Sequence, residues 1–500
     1  MRATEHRRKL VSLAYPVYFE LLAGVTAGII DMVWVAGLGG AAVAAVAVAT
    51  NLENLLLGVV LVAGSGTTVL IARARGAEDP AALRSAVRGG WTLWAIVTPV
   101  VALGGFLGRE PLARLVLGGG ADGSLPLATG YFSIALPGIA VFFATNVVDG
   151  ILKGTGDTRT PMRLAMLANG LILALDPVLI LGCGLGVRGA ALATVLGRTA
   201  ALACGFLALR RNPVLRQAAA AAAAPSDRTD RTDWADRADR ADRADRADRT
   251  SRADRTSQAG WTGRTRLLGS DARTVAATGL PMAADFVVRM TGALVLVAVV
   301  ARIGVTEVAA YGIAAKAMYV ATMAFYAVRQ AAAIRTSHLL GAGHDERRAV
   351  GRQALLLAGT LGLAAALALL AAGPWIMRAF GAEGAVAEAG ALYLRCLGPY
   401  LVLLACFIAL GGVFEGSGGS PALARITTCG VLLQLALAGG LSGLGLPGIC
   451  CAMAVSMAVQ CAAVVRMYRR TAPAPTTRRR GGAGHPEEGA RVPSGTVAEK

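Results

Sequence analysis

The sequence predicts an all-α polytopic membrane protein, with twelve transmembrane helices in two six-helix bundles related by a pseudo-two-fold axis along the membrane normal. Three observations carry that prediction. The 500 residues are 55% hydrophobic and only 16% charged, with a mean hydropathy of +0.57. Apolar runs of the length that crosses a bilayer, about 20 residues, recur along the chain. The second half repeats landmarks of the first at a nearly constant offset.

The apolar runs fall at about 10–38, 42–71, 91–108, 130–152, 162–183, 187–209, 275–301, 307–334, 353–377, 391–413, 422–444 and 447–467. Alternate loops differ in charge. One set carries Arg73, Arg75, Arg84, Arg88, Lys153, Arg159, Arg163, Arg335, Arg347, Arg348 and Arg352; the opposite set holds only Arg109, Arg114, Arg188, Arg302 and Arg378. Basic loops stay cytoplasmic, which places both termini inside an inner or plasma membrane. The basic start (Arg2, Arg7, Arg8, Lys9) leads into a run too long for a signal core, so the first run reads as a retained helix.

The net charge of +18 does not mark a nucleic-acid binder, because the basic residues lie between apolar runs and at both ends. Eight cysteines without paired ligand spacing read as small buried hydrophobes. The four histidines sit at ends or loops, so no histidine-based metal or acid–base centre is visible, and no enzyme is expected.

Between the sixth and seventh runs, poly-alanine (218–224) is followed by an Asp-Arg-Thr/Ala-Asp-Arg array from Asp227 to Arg255, with nine Asp and nine Arg. A three-residue period matches neither a helix face nor a strand and buries no core. The expected organisation is an N-terminal lobe over 1–210, a disordered linker over 211–270, a C-terminal lobe over 271–470 and a disordered tail over 471–500.

The lobes are copies. Pro16 answers to Pro281, Gly39 to Gly304, Val43-Ala44-Ala45 to Val308-Ala309-Ala310 and Gly76-Ala77 to Gly341-Ala342, all 265 positions apart. Pro137, Gly150 and Gly156 answer to Pro399, Gly412 and Gly418 at 262; Leu185-Gly186 and Gly189 answer to Leu444-Gly445 and Gly448 at 259. Six helices per copy is an even number, so the copies share one orientation. That is transporter architecture.

Within this frame the intramembrane carboxylates are the candidate functional groups, since each costs several kcal/mol unless paired, hydrated or protonated. Asp31 lies about six residues before the end of the first run and Asp176 about seven before the end of the fifth. Thr194 lies about seven past the start of the sixth. At 1.5 Å per residue all three sit roughly 9–11 Å below the outer surface, where two carboxylates and a hydroxyl can share a cation. Pro177 frees a carbonyl beside Asp176 and supplies a bend, as Pro16 does in the first helix. Glu53, between Asn51 and Asn54, and Lys316 are expected to face the cleft; Glu20 and Asp285 occupy equivalent repeat positions. Asp285 and Arg289 have the spacing of an intrahelical ion pair, while Asp149 and Asp157 are expected to pair with Lys153 or Arg159.

The segments IIDMVWVAGLG, DGILKGTGDTRTP, LDPVLILG…LGVRGAALAT and GLP…ARIGVTEVAAYGIA resemble the multidrug and toxic compound extrusion (MATE) family, in its DNA-damage-inducible-F-like branch. The resemblance covers both lobes but not the linker or the tail. It implies a twelve-helix, V-shaped antiporter that exports organic cations or other amphiphiles, driven by inward movement of H⁺ or Na⁺. The family's helix-one acid falls on Asp31, its helix-five acid on Asp176, its helix-six hydroxyl on Thr194 and its helix-four cavity Asn on Asn146. Related members carry an Asn four residues before the helix-five acid. Ile172 stands there, with Asn169 three residues earlier. Hard cations need several oxygen ligands, so the resemblance favours H⁺ over a weak Na⁺ site at Asp31, Asp176 and Thr194. No cofactor beyond the coupling ion is implied, and the partners are small amphiphilic or cationic substrates and the bilayer, with a monomeric chain. The rival expectations are a lipid-linked precursor flippase, which would line the inner cleft with more cations than Lys316, Arg289 and Arg329, and a membrane-embedded enzyme, for which no interfacial cluster of His, Asp, Ser or Cys appears.

Overall fold

The computed structural model describes residues 3–117, 124–223 and 256–471. Every regular element among them is helical. The N-terminal copy comprises α1 (Ala3–Ala36), α2 (Gly40–Gly76), α3 (Pro80–Leu107), α4 (Arg109–Leu117), α5 (Ser124–Gly154), α6 (Arg159–Pro177), α7 (Val187–Arg211) and α8 (Pro213–Ala223). The C-terminal copy comprises α9 (Thr256–Ala301), α10 (Val305–Gly341), α11 (Arg347–Ala379), α12 (Gly384–Cys396), α13 (Gly398–Ser417), α14 (Ser420–Leu441) and α15 (Gly445–Thr471). Eleven stretches of the described residues have the length and apolarity to cross a membrane. The last of them, Ser420–Thr471, is 52 residues long and is folded at a 3₁₀ turn, Ser442–Leu444, into the packed pair α14 and α15. Twelve crossing helices result, as the apolar runs predict.

The duplication has a backbone cause. Gly156 and Gly418, 262 positions apart, both adopt φ +84°; Gly186 and Gly445, 259 apart, adopt φ +54° and +67°. These left-handed turns reverse the chain after equivalent helices, and a Cβ would strain them. α6 ends at Pro177 and continues as a π-helical turn, Val178–Gly182, before Gly186 starts the return.

The structure corrects several expectations. Residues 213–223 of the expected linker form α8. Asn212 accepts hydrogen bonds from the amides of Val214 and Leu215, and Val214, Leu215 and Ala218 pack on α3 and α2. Residues 256–270 belong to α9. The rest of that linker, 224–255, and nearly all the tail lie outside the described residues. The tenth run is two helices, α12 and α13, parted at Leu397. Pro399 lacks the N–H that would bond back into α12, and it sits in the first turn of a new helix. The cysteines are free thiols, but only Cys450 is buried; Cys204, Cys429 and Cys451 are exposed on helices and Cys183 is exposed in the bend after the fifth span. His338 lies within α10 rather than in a loop.

Each copy's first helix crosses to the other. Leu10, Ala14 and Val17 of α1 join the C-terminal core, and Val275 of α9 packs against Gly66 and Gly89 of the N-terminal copy. α2 and α10 finish in backbone contact at the end bearing the basic loops: a Cβ at Gly76 would strike the His338 carbonyl, and one at Gly341 the Arg73 carbonyl. Cross-copy contacts run from Gly58 against Val287 through Gly66 and Gly279 to Gly76, roughly 27 Å at the rise of an α-helix. The two copies are therefore closed together along the half of α2 nearest the basic face. His6 of α1 also reaches Glu346, before α11, at 2.7 Å.

Candidate functional site: buried charges in the two lobes

Five helices of the N-terminal lobe contribute to one acidic cluster. α1 brings Asp31, α2 Glu53, α5 Tyr131, α6 Asp176 and α7 Thr194 and Arg198. Asp31 interacts electrostatically with both Glu53 and Asp176, and Glu53 with Arg198. The Tyr131 hydroxyl donates to Glu53 Oε1 at 3.2 Å. The Arg198 guanidinium lies over the Phe142 ring, 4.1 Å from its centroid. A cavity of about 20 Å³ lined by Glu53, Tyr131, Phe142, Thr194 and Arg198 has room for a single water-sized guest.

The bonding of these acids is uneven. Asp176 is 0% exposed, and neither of its carboxylate oxygens has a hydrogen-bond partner. Asp31 Oδ1 is likewise buried and unpartnered. Of the three carboxylates Glu53 alone interacts with a guanidinium, that of Arg198, and the cluster carries a surplus of two negative charges if all are ionised. Asp31 and Asp176 are thus brought together, whereas Thr194 lines the adjoining cavity with Glu53 and makes no hydrogen bond to either. Asn169 is half-buried two turns before Asp176, and Ile172 is buried where Gly197 of α7 abuts α6. Among the described residues no three His, Cys, Asp or Glu side chains converge as metal ligands.

The C-terminal lobe answers with a balanced network. Asp285 of α9 pairs with Arg289 one turn on and with Arg329 of α10 at 2.7 Å, and it accepts the Thr427 hydroxyl of α14 at 2.5 Å. Arg329 also bridges to Glu415 of α13 at 2.7 Å. Two acids thus meet two guanidiniums. Gly412 is required here, since a Cβ would collide with the Arg329 backbone.

A second cavity, of about 80 Å³, lies between the lobes near the basic end, lined by Asn146, Asp149 and Lys153 from one lobe and Gln330 and Glu415 from the other. Lys153 Nζ is 2.6 Å from Glu20 Oε1. Glu20 is the repeat mate of Asp285, both acidic, whereas Lys153 and its repeat mate Glu415 carry opposite charge and meet at this cavity. Glu20 consequently supports the cavity wall through Lys153. Asp149 interacts electrostatically with Lys153 while the lysine's hydrogen bond goes to Glu20, and Asp157 does not pair with Arg159 but caps α6, accepting from the amides of Arg159 and Thr160. Asn146 lines this cavity while donating to the Phe142 carbonyl at 2.9 Å. Lys316 is exposed on α10. α1 passes Pro16 without interruption.

Residue types alone did not single out Tyr131, Arg198, Arg329 with Glu415, or the Lys153–Glu20 pair. For Lys153 and Glu415 a signal did exist, because the 262-residue offset places them at one repeat position.

Fold and charge pattern together define a duplicated, two-lobed, multi-pass membrane protein, with buried acids balanced in one lobe and unbalanced in the other. The chain belongs to the MatE family, whose model matches residues 16–178 and again 281–438. It is 32% identical over 201 residues to a probable multidrug resistance protein NorM of Thermotoga maritima, covering 39% of this chain and 42% of that protein. It is 31% identical over 221 residues to DNA damage-inducible protein F of Escherichia coli, covering 43% and 46%. These matches span less than half the length of either relative. A MOP superfamily transporter from Pyrococcus furiosus shares the fold, with a TM-score of 0.77 at 22% identity over 93% of this chain and 95% of that one. The twelve-helix, two-lobe expectation and the family resemblance both hold.

Proposed function

We propose that the chain is a secondary antiporter that exports organic cations and amphiphilic drugs in exchange for H⁺. The observation behind this reading is the set of unpartnered carboxylate oxygens on Asp31 and Asp176. An uncompensated charge in such surroundings costs several kcal/mol, and a bound cation removes that cost. The C-terminal acids carry their counter-charges permanently, so the exchangeable cation belongs to the N-terminal lobe. A hard metal ion needs several converging oxygens, which the spread of Asp31, Asp176 and Thr194 serves poorly; a proton needs one.

With both termini cytoplasmic, the closed contact between α2 and α10 seals the inner side, and the acids connect to the outside. Neutralising Asp31 or Asp176 removes their mutual repulsion and lets α1, α6 and α7 draw together, contracting the lobe around its apolar walls. The π-helical turn after Pro177 gives α6 a compliant end. Exchange requires only that the proton and the drug prefer different conformations. The flippase reading is weaker, because Arg289 and Arg329 are occupied by Asp285 and Glu415. The Thermotoga maritima relative is named a probable multidrug resistance protein, in keeping with an export role rather than enzymatic chemistry.

The test is ethidium efflux from proteoliposomes under an imposed pH gradient, with and without sodium. Efflux driven by the pH gradient alone is expected; efflux that requires a sodium gradient and ignores pH refutes proton coupling.

A further inference from the structure

The ends of α11 and α15 form a groove of about 710 Å³ on the basic face, apart from the buried sites above. Arg348, Arg352 and Arg469 stand at its rim, and Leu356 and Val465 line its wall. The two helices repeat one pattern. On α11 Leu356 follows Arg352 by four residues, and on α15 Val465 precedes Arg469 by four, so each guanidinium has an aliphatic side chain about 6 Å deeper along the span. Leu356 is 54% exposed.

The groove is built rather than incidental. The Tyr468 hydroxyl donates to the carbonyls of Arg347 and Arg348, both at 3.0 Å, and ties the last turn of α15 to the first turn of α11. Gly351 leaves the space that the Tyr468 ring occupies. Arg347 turns away to Asp345 at 2.6 Å, whereas no carboxylate among the described residues pairs with Arg352 or Arg469. Positive charge therefore accumulates over an apolar wall continuous with two membrane spans.

We propose that this groove binds an anionic phospholipid, with its phosphate at Arg352 and Arg469 and an acyl chain against Leu356 and Val465. Basic pockets between helices at the cytoplasmic interface suit lipid headgroups of this charge. A zwitterionic lipid offers the same acyl chains without the net charge, so the groove discriminates by headgroup.

Native mass spectrometry of the purified full chain with phosphatidylglycerol or phosphatidylcholine tests this. The wild type is expected to retain phosphatidylglycerol in preference. An Arg352→Gln/Arg469→Gln variant is expected to bind it about 25-fold more weakly, roughly fivefold per guanidinium, with phosphatidylcholine adducts unchanged. The Arg352→Lys/Arg469→Lys variant retains most of the binding, which separates charge from fold. Equal retention of the two lipids by the wild type, or undiminished phosphatidylglycerol on the glutamine variant, overturns the proposal. Complete displacement by excess inorganic phosphate assigns the groove to a free anion and overturns it as well. So does binding seen only after removal of residues 472–500, which would make the chain's own tail the occupant.

Discussion

Arg329 offers the sharpest test of how the two lobes differ. Its side chain is 6% exposed and holds Asp285 and Glu415 at 2.7 Å each. In Arg329→Gln, Asp285 keeps Arg289 and Thr427, but Glu415, whose side chain is 12% exposed, loses its counter-charge. Breaking a buried pair from one side costs about 3–5 kcal/mol. Lys153 borders the same cavity and offsets part of that loss, so the lower end, about 3 kcal/mol, is expected. For a lobe of this size that amounts to roughly 6–12 °C in melting midpoint, at about 2–4 °C per kcal/mol. Thermal unfolding of purified protein in one detergent measures it, and Arg329→Gln/Glu415→Gln should recover most of the loss because the surplus charge is gone. A single variant melting within a degree or two of the wild type would show that Glu415 is solvated or already neutral, and the contrast between a balanced and an unbalanced lobe would fail.

Further consequences follow from the same geometry. Asp31→Asn and Asp176→Asn should each reduce ethidium efflux to that of protein-free liposomes while leaving membrane insertion and melting intact; wild-type export by either removes that residue from coupling. Asp285→Asn should do the reverse, lowering the melting midpoint while export retains its response to a pH gradient. Lys153→Glu gathers Glu20, Asp149 and Glu415 around an added acid, so spin labels at Ala77 and Ala342, at the closed ends of α2 and α10, should move apart; adding Glu415→Lys should bring them back. Outside the membrane, the hydrogen bond from Arg347 holds the Asp345 carboxyl below the ordinary aspartate range. A depressed value contributes stability above the unfolded pKa, about 4, and loses it as pH falls through the folded one. Asp345→Asn should therefore melt slightly below the wild type at neutral pH, and the two curves should merge in strong acid.

Much of the architecture was legible along the chain because its causes are local. Apolar length sets the number of crossings, and turns that need a left-handed residue leave a glycine at each repeat, as at Gly156 with Gly418 and Gly186 with Gly445. Asp31 and Asp176 could be singled out because a carboxylate in an apolar run is expensive wherever its neighbours lie. The Asp285–Arg289 pair was readable for the same reason, since four residues of helix already bring the two together.

Tertiary structure alone decided who compensates whom. Glu20 and Asp285 look alike in sequence, yet one meets Lys153 and the other meets Arg289 and Arg329. Glu53 finds Tyr131 and Arg198 on helices far along the chain, while Asp176 finds no hydrogen-bond partner at all. The physical reason is range. Helix propensity, apolar length and turn conformation act over a few residues, whereas the net charge of a buried cluster depends on side chains that only the packing of several helices brings within reach.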